Sequence, residues 1–210
     1  MAKKLIKVEI TSDSVCPWCY IGYRRFEKGL QLYKDKHGDV GVEVVWHPYL
    51  LAPEMTQPVR KADHYRQKFG EARTEKMFTM LQTIGEPLGI KFRFEGMIGP
   101  TLDSHRLIEY ARSKDLQTPT VLRIFQAYFE QNKDIADHAV LTDAGVAAGL
   151  EREEVASLLR GTEYARAVKQ ELQQAHMNQI DAVPHFIFDE TDQVAGGQEP
   201  ETFLRILERQ

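Results

Sequence analysis

Cysteine is almost missing from this chain. It occurs twice in 210 residues, as Cys16 and Cys19. Two cysteines are only half of a structural zinc site, and no second pair exists to complete it. The seven histidines are scattered, with no H-x-x-x-H spacing, so no metal site is expected. Basic charge is not in excess either: 27 Lys and Arg stand against 31 Asp and Glu, for a net charge of −4. No basic surface for nucleic acid follows from that balance. No apolar run approaches transmembrane length, so the membrane is not an expected partner. Repeats and low-complexity tracts are absent as well. The start, Met1-Ala2-Lys3-Lys4, looks like a signal-peptide n-region, but Lys7 and Glu9 break the apolar run that follows. The expected location is therefore cytoplasmic. There, structural disulfides are rare, and a lone cysteine pair is catalytic or metal-binding.

What is present is ordinary globular material. Hydrophobic residues make up 42% and charged residues 28%, and the length suits one domain with an insertion or two small domains. Within it, Ser14-Val15-Cys16-Pro17-Trp18-Cys19-Tyr20-Ile21-Gly22 stands out. A strand-like run precedes it and a helix-like run follows. A C-x-x-C pair at such a junction reads as a thiol–disulfide redox site. Pro17 suits the first helical position, where its missing N–H has no intrahelical partner to lose. Cys16 then becomes the N-cap, its sulfur placed to accept hydrogen bonds from the N–H groups of Trp18 and Cys19. The helix dipole adds to this. Both effects are expected to lower the Cys16 pKa below the free value of about 8.5. Cys19, one turn deeper on the same face, is expected to be less exposed and less acidic. Cys16 is thus the expected nucleophile and Cys19 the resolving thiol. An inert structural disulfide would close too small a loop to stabilise much.

The remaining chain reads as strands at both ends and helices between. Leu5–Ile10 alternates as a half-buried strand, the first helix runs from Cys16 to about Asp35, and Val40–Trp46 is a second strand. Strand, helix and strand make a βαβ unit with parallel strands. Prolines 48, 53 and 58 punctuate an irregular stretch. Helices are expected over 62–69, 71–84, 103–112, 119–131, 139–148, 152–159 and 162–177, the last capped by Thr162, with a short extended piece over 91–94. His185–Phe188 is a strand, Asp189–Gln193 a polar turn, Val194-Ala195 the start of an antiparallel partner, and Pro200–Arg209 a closing helix. The fold class is α/β: a mixed β-sheet split by a large all-helical insertion.

A second motif is Asp181-Ala182-Val183-Pro184-His185-Phe186. Proline is tolerated at a strand start because no ladder N–H is needed there. Residue statistics alone favour an ordinary trans bond before Pro184. A cis bond would leave the Val183 backbone as an unpaired edge for an extended peptide.

Taken together, these pieces resemble the thioredoxin superfamily, in its DsbA-like branch and its FrnE-type group of cytoplasmic oxidoreductases. The stretches that carry the resemblance are Asp13 to Gly22, Pro48-Tyr49-Leu50-Leu51-Ala52-Pro53, Asp103-Ser104-His105-Arg106-Leu107, Phe125-Gln126-Ala127-Tyr128-Phe129, Ala182 to Phe186 and Gly196-Gly197-Gln198. The resemblance implies a discontinuous thioredoxin-like domain over residues 1–50 and 162–210, with an inserted helical domain over 51–161 capping the site. It implies a cis-Pro184 facing the disulfide, Val183 offering backbone to substrate, and Gly197 and Gln198 beside the pocket. Pro17 and Trp18 complete the expected substrate surface. Pro100 and Ser104 depart from the family's usual Asn and Ala. His185 departs from its usual small or apolar residue. Protonated beside Cys16, His185 would favour the thiolate. Strand alternation would instead turn it away. Asp13 and His105 are candidates for the pocket, each with a packing role as its alternative. Tyr49, Tyr128 and Phe129 read as core or pocket wall, Met77, Met80 and Met97 as core, and His47 has no assigned role.

The expected activity is thiol–disulfide exchange as a disulfide reductase or isomerase, with a redox-active Cys16–Cys19 disulfide and no tightly bound cofactor. Glutathione is the expected co-substrate, and the partners are disulfide-containing proteins or small-molecule thiols. The sequence leaves the oligomeric state open, a homodimer included. One rival is a glutathione-dependent isomerase or transferase of the 2-hydroxychromene-2-carboxylate isomerase or kappa class, which uses a serine near the position of Cys16. The other is a binding module or metal carrier.

Overall fold

Strand β1 (Leu5–Ser12) lies inside a four-stranded sheet of order β2-β1-β5-β6. The computed structural model describes residues 5–210, so the reading of Met1 to Lys4 lies outside the described residues. β2 (Gly41–Pro48) runs parallel to β1, with Ile10 opposite Trp46. β5 (His185–Phe188) runs antiparallel on the other side of β1, with Ile10 opposite Phe186, and β6 (Asp192–Ala195) closes that edge. Alternation along β1 sends Ile6, Val8 and Ile10 into complete burial. Helix α1 (Pro17–His37) covers that face, where Phe26 meets Phe186, Phe188 and Phe203 at ring-centroid distances of 5.8–6.2 Å. Phe203 comes from α9 (Pro200–Leu207). Gly29 permits this contact: a Cβ there would lie 2.7 Å from both Phe203 Cβ and Pro200 O.

Between β2 and β5 the chain is almost entirely helical: α2 (Lys61–Phe69), α3 (Glu71–Gly85), α4 (Leu102–Arg112), α5 (Gln117–Phe125), α6 (His138–Ala148), α7 (Arg152–Arg160) and α8 (Ala165–Met177). Gln117 ties this block to the sheet. Its Oε1 accepts the Trp46 N–H at 2.9 Å and its Nε2 donates to Trp46 O at 2.9 Å, so one side chain imitates a neighbouring strand along β2. That satisfies backbone groups an edge strand would otherwise present to other chains. Among the described residues, no helix is long and apolar enough to cross a membrane.

Three expectations need correction. Residues 91–94 are not a strand; the extended piece is Met97–Ile98 (β4), which pairs with Val59–Arg60 (β3) in a ladder of two residues. Thr162 does not cap α8. Tyr164, in the left-handed region at φ 63°, precedes the first helical residue, Ala165. The helix expected from Pro119 begins at Gln117, and past Phe125 it widens into a π-turn, Gln126–Glu130. The turn between β5 and β6 is tight because Asp189 and Glu190 both take positive φ, 44° and 62°.

Candidate active site

β1 ends just ahead of a short loop that closes on the first turn of α1. The Cys16 N–H donates to Asp13 O at 3.0 Å, and the Cys19 N–H donates to Cys16 O at 3.1 Å. Cys16 has the extended backbone of an N-cap, φ −86° and ψ 111°, with Pro17 behind it. The expected capping bonds to its sulfur are not made. The thiol instead donates to Val183 O at 3.6 Å, across 167 residues of chain. A thiol carries one weak donor, and a carbonyl aimed at it takes that donor.

Both cysteines are free thiols in this structure. Cys16 is 4% exposed and Cys19 is 0% exposed. Burial pushes the Cys19 pKa well up, and its hydrogen bond with Cys16 pushes the same way, while the Ser12 side chain opposes them. Cys16 at the N-cap and Cys19 in the first turn of α1 are three residues apart on one helix, a separation that modest side-chain movement can bridge with a disulfide.

The Val183–Pro184 bond is cis, against the residue-level expectation of trans and as the resemblance implied. Pro184 is buried, and its carbonyl accepts the Gly196 N–H at 2.7 Å. A Cβ on Gly22 would lie 3.0 Å from Pro184 Cγ and 3.2 Å from Gly197 Cα. One on Gly197 would lie 3.1 Å from Trp18 O. The two glycines thus bring α1, Pro184 and the segment after β6 together. Arg25 fastens that segment through Gly197 O at 2.6 Å and Glu199 at 2.7 Å. Trp18 is half-buried against the core, and exposed Gln198 donates to Ala195 O at 2.8 Å.

His185 lies apart from the sulfurs. It pairs with Thr11 on β1 and sits on the opposite sheet face from Phe186, which packs under α1. Its Nε2 is 3.2 Å from Gln193 Oε1. Strand alternation therefore wins over the idea of a charge beside Cys16. His185→Ala is expected to leave the pH dependence of Cys16 alkylation unchanged within about twofold, since an imidazole on the far face is separated from the sulfur by the sheet. Rates of iodoacetamide capture check this.

Asp13 and His105 do come together. Asp13 is fully buried, and its Oδ2 accepts the Leu51 N–H at 2.7 Å. His105 Nε2, on α4, lies 3.0 Å from Tyr49 O and 3.5 Å from Asp13 Oδ1. Nearby, buried Ser104 Oγ is 2.8 Å from both Ser14 Oγ and Thr101 O. These contacts hold the helical block against the loop that carries Cys16.

Sequence reasoning missed Lys61, which is 1% exposed. Its Nζ donates to Tyr128 O at 3.0 Å and lies 3.7 Å from the Tyr128 ring centroid. A cation at the C-terminal end of a helix is favoured by the dipole, but burial lowers the Lys61 pKa to about 8. Its polar sequence neighbourhood carries no signal of burial.

The sequence matches the DSBA-like thioredoxin domain over residues 7–208. The uncharacterized protein YwbO of Bacillus subtilis (strain 168) is 28% identical over 193 residues, covering 89% of this chain and 88% of YwbO. A probable DsbA oxidoreductase from Streptomyces coelicolor has a similar crystal structure: TM-score 0.90, 29% identity, 97% of this chain and 89% of that one. The cytosolic disulfide reductase DsbM from Pseudomonas aeruginosa, solved with GSH, shares the fold at TM-score 0.61 and 20% identity, over 97% of this chain and 98% of that one.

Proposed function

The chain belongs to the DSBA-like thioredoxin domain family, and from that premise we propose that it is a cytoplasmic disulfide reductase or isomerase working through Cys16 and Cys19. Residues 1–50 and 162–210 form its thioredoxin-like part in this reading, and residues 51–161 its cap. One observation carries the proposal: a thiol at the mouth of α1 stands one turn ahead of an inner, wholly buried thiol whose pKa burial has raised. That asymmetry divides the labour. The Cys16 thiolate attacks a substrate disulfide, an Sγ–S bond forms, and one substrate sulfur leaves as thiolate. Cys19 stays protonated meanwhile. On losing its proton it attacks Cys16 Sγ, the second substrate thiolate leaves, and the enzyme holds a Cys16–Cys19 disulfide. A cellular thiol re-reduces it. Glutathione suits that role, and the DsbM structure with GSH supports the assignment. Val183, cis-Pro184 and Gly197 line the approach for an extended substrate backbone.

The test sets two assays side by side with glutathione: insulin reduction and 2-hydroxychromene-2-carboxylate isomerisation. Insulin reduction that Cys19→Ser abolishes is expected. Isomerase turnover untouched by Cys19→Ser, with no insulin reduction by the wild type, would overturn the reading.

A further inference from the structure

The segment after β6 is a loop with little of its own to hold it. Gly196 takes φ 81°, in the left-handed region that favours glycine, and Gly197 follows with no side chain to pack. Adjacent glycines leave a backbone that is costly to order. Yet the loop lies against Trp18, between the cysteines. A Cβ on Gly197 would stand 3.1 Å from Trp18 O and 3.2 Å from Gly22 N. So close an approach needs a tether, and Arg25 provides it. The residue sits on α1 with its side chain only 13% exposed, and its Nη1 donates to Gly197 O at 2.6 Å. Among the described residues, no other side chain bonds the backbone of 196–198 from outside the loop. The second prong, Nη2, meets Glu199 Oε1 at 2.7 Å, but the Glu199 side chain is 65% exposed. An ion pair so open to water adds little. The Gly197 carbonyl is therefore the partner that matters.

From this loop an unbroken run of contacts reaches Cys16. The Gly196 N–H donates to Pro184 O at 2.7 Å, and the Pro184 ring packs on Gly22, where an added Cβ would lie 3.0 Å from Pro184 Cγ. Val183 O and the Pro184 nitrogen belong to one planar peptide unit, so fixing Pro184 fixes that oxygen. The Cys16 thiol donates to it at 3.6 Å. The Val183 N–H makes no hydrogen bond among the described residues, which leaves it open to an extended backbone. Pairing there is productive only if it sets the substrate sulfurs at bonding distance from Cys16. We infer that Arg25 is a positioning residue for exchange with extended polypeptide disulfides: through Gly197 it holds the loop that fixes Pro184, and so places the substrate backbone opposite Cys16. This rests on the reading of Cys16 as the attacking sulfur and of Val183 as the substrate's edge. Arg25 touches no reacting atom, and no proton or electron passes through it.

Arg25→Met tests this, because it keeps an apolar stem along α1 and removes the charged fork. Insulin reduction is followed at saturating glutathione, together with iodoacetamide capture of Cys16 and amide hydrogen exchange at Gly196. KM for insulin is expected to rise about tenfold, the scale of losing one hydrogen bond from a charged donor, with kcat kept within about threefold. Exchange at Gly196 should quicken by about tenfold as well, since its bond to Pro184 opens with the loop. Capture of Cys16 should stay within about twofold, because iodoacetamide needs no backbone pairing. A merely structural arginine would not raise KM alone. Arg25→Gln, too short to span the same gap, gives the same readings if Arg25→Met does not fold. Unchanged KM and unchanged Gly196 exchange in the folded variant would overturn the positioning role while leaving the exchange reading intact. Falls in kcat and in Cys16 capture as large as the rise in KM would overturn it too, as a general loosening of α1. A wild type that does not reduce insulin would remove both.

Discussion

Cys16→Ser is expected to abolish disulfide exchange, with turnover falling on the order of 10³-fold or more, as when a covalent nucleophile is removed. Cys19 cannot stand in for it, being wholly buried and with its thiol held protonated by that burial. Cys19→Ser should fail differently. The Cys16 thiolate still attacks, but no second thiol follows, so a mixed disulfide with glutathione or with protein accumulates. Insulin reduction is lost in both variants, whereas intact mass separates them: Cys16→Ser stays unmodified and Cys19→Ser carries an adduct. An adduct on Cys16→Ser that formed as fast as on Cys19→Ser would reverse the two roles.

The second large effect concerns Lys61 and pH. Burial holds its pKa at about 8 in the folded chain against the ordinary 10.5, with Glu95 pulling weakly upward. Between those values the native protein has released a proton that the unfolded chain retains. The unfolded state therefore binds more protons there, and stability rises with pH through that window. The interval from about 8 to 10.5 corresponds to about 3 kcal/mol. Lys61→Met removes this contribution and leaves the other titrations in common. The difference in unfolding free energy between wild type and Lys61→Met should move toward the wild type by about 3 kcal/mol from neutral pH to about pH 10.5. Urea unfolding across that range checks it. A difference that does not change with pH would mean that the ammonium is hydrated.

How much of this was legible in the sequence depends on how local each cause is. Alternating Ile6, Val8 and Ile10 announced β1, and Pro17 announced the start of α1, because both signals are written in neighbouring residues. The mixed sheet split by a helical insertion followed from that pattern and its thioredoxin-like character from the resemblance, and the DSBA-like match over residues 7–208 agrees. The isomer of the Val183–Pro184 bond was not legible from its neighbours, since the same residues suit cis and trans alike; only the resemblance pointed to cis. The sulfur of Cys16 turned from its own helix to a carbonyl 167 residues away, which no local rule anticipates. Strand alternation foresaw one of two fates for His185, and the placement of α1 on the Phe186 face decided between them. Lys61 was invisible because its carbonyl partner is offered at a π-turn 67 residues on. The β3–β4 ladder was invisible because two residues hold no periodicity.

The central claim is the asymmetry between the two sulfurs, and limiting iodoacetamide applied to the reduced wild type at neutral pH measures it directly. Peptide mapping at short times should find the label on Cys16, with Cys19 labelled only after unfolding. Equal labelling of both, or labelling of Cys19 first, would contradict the account.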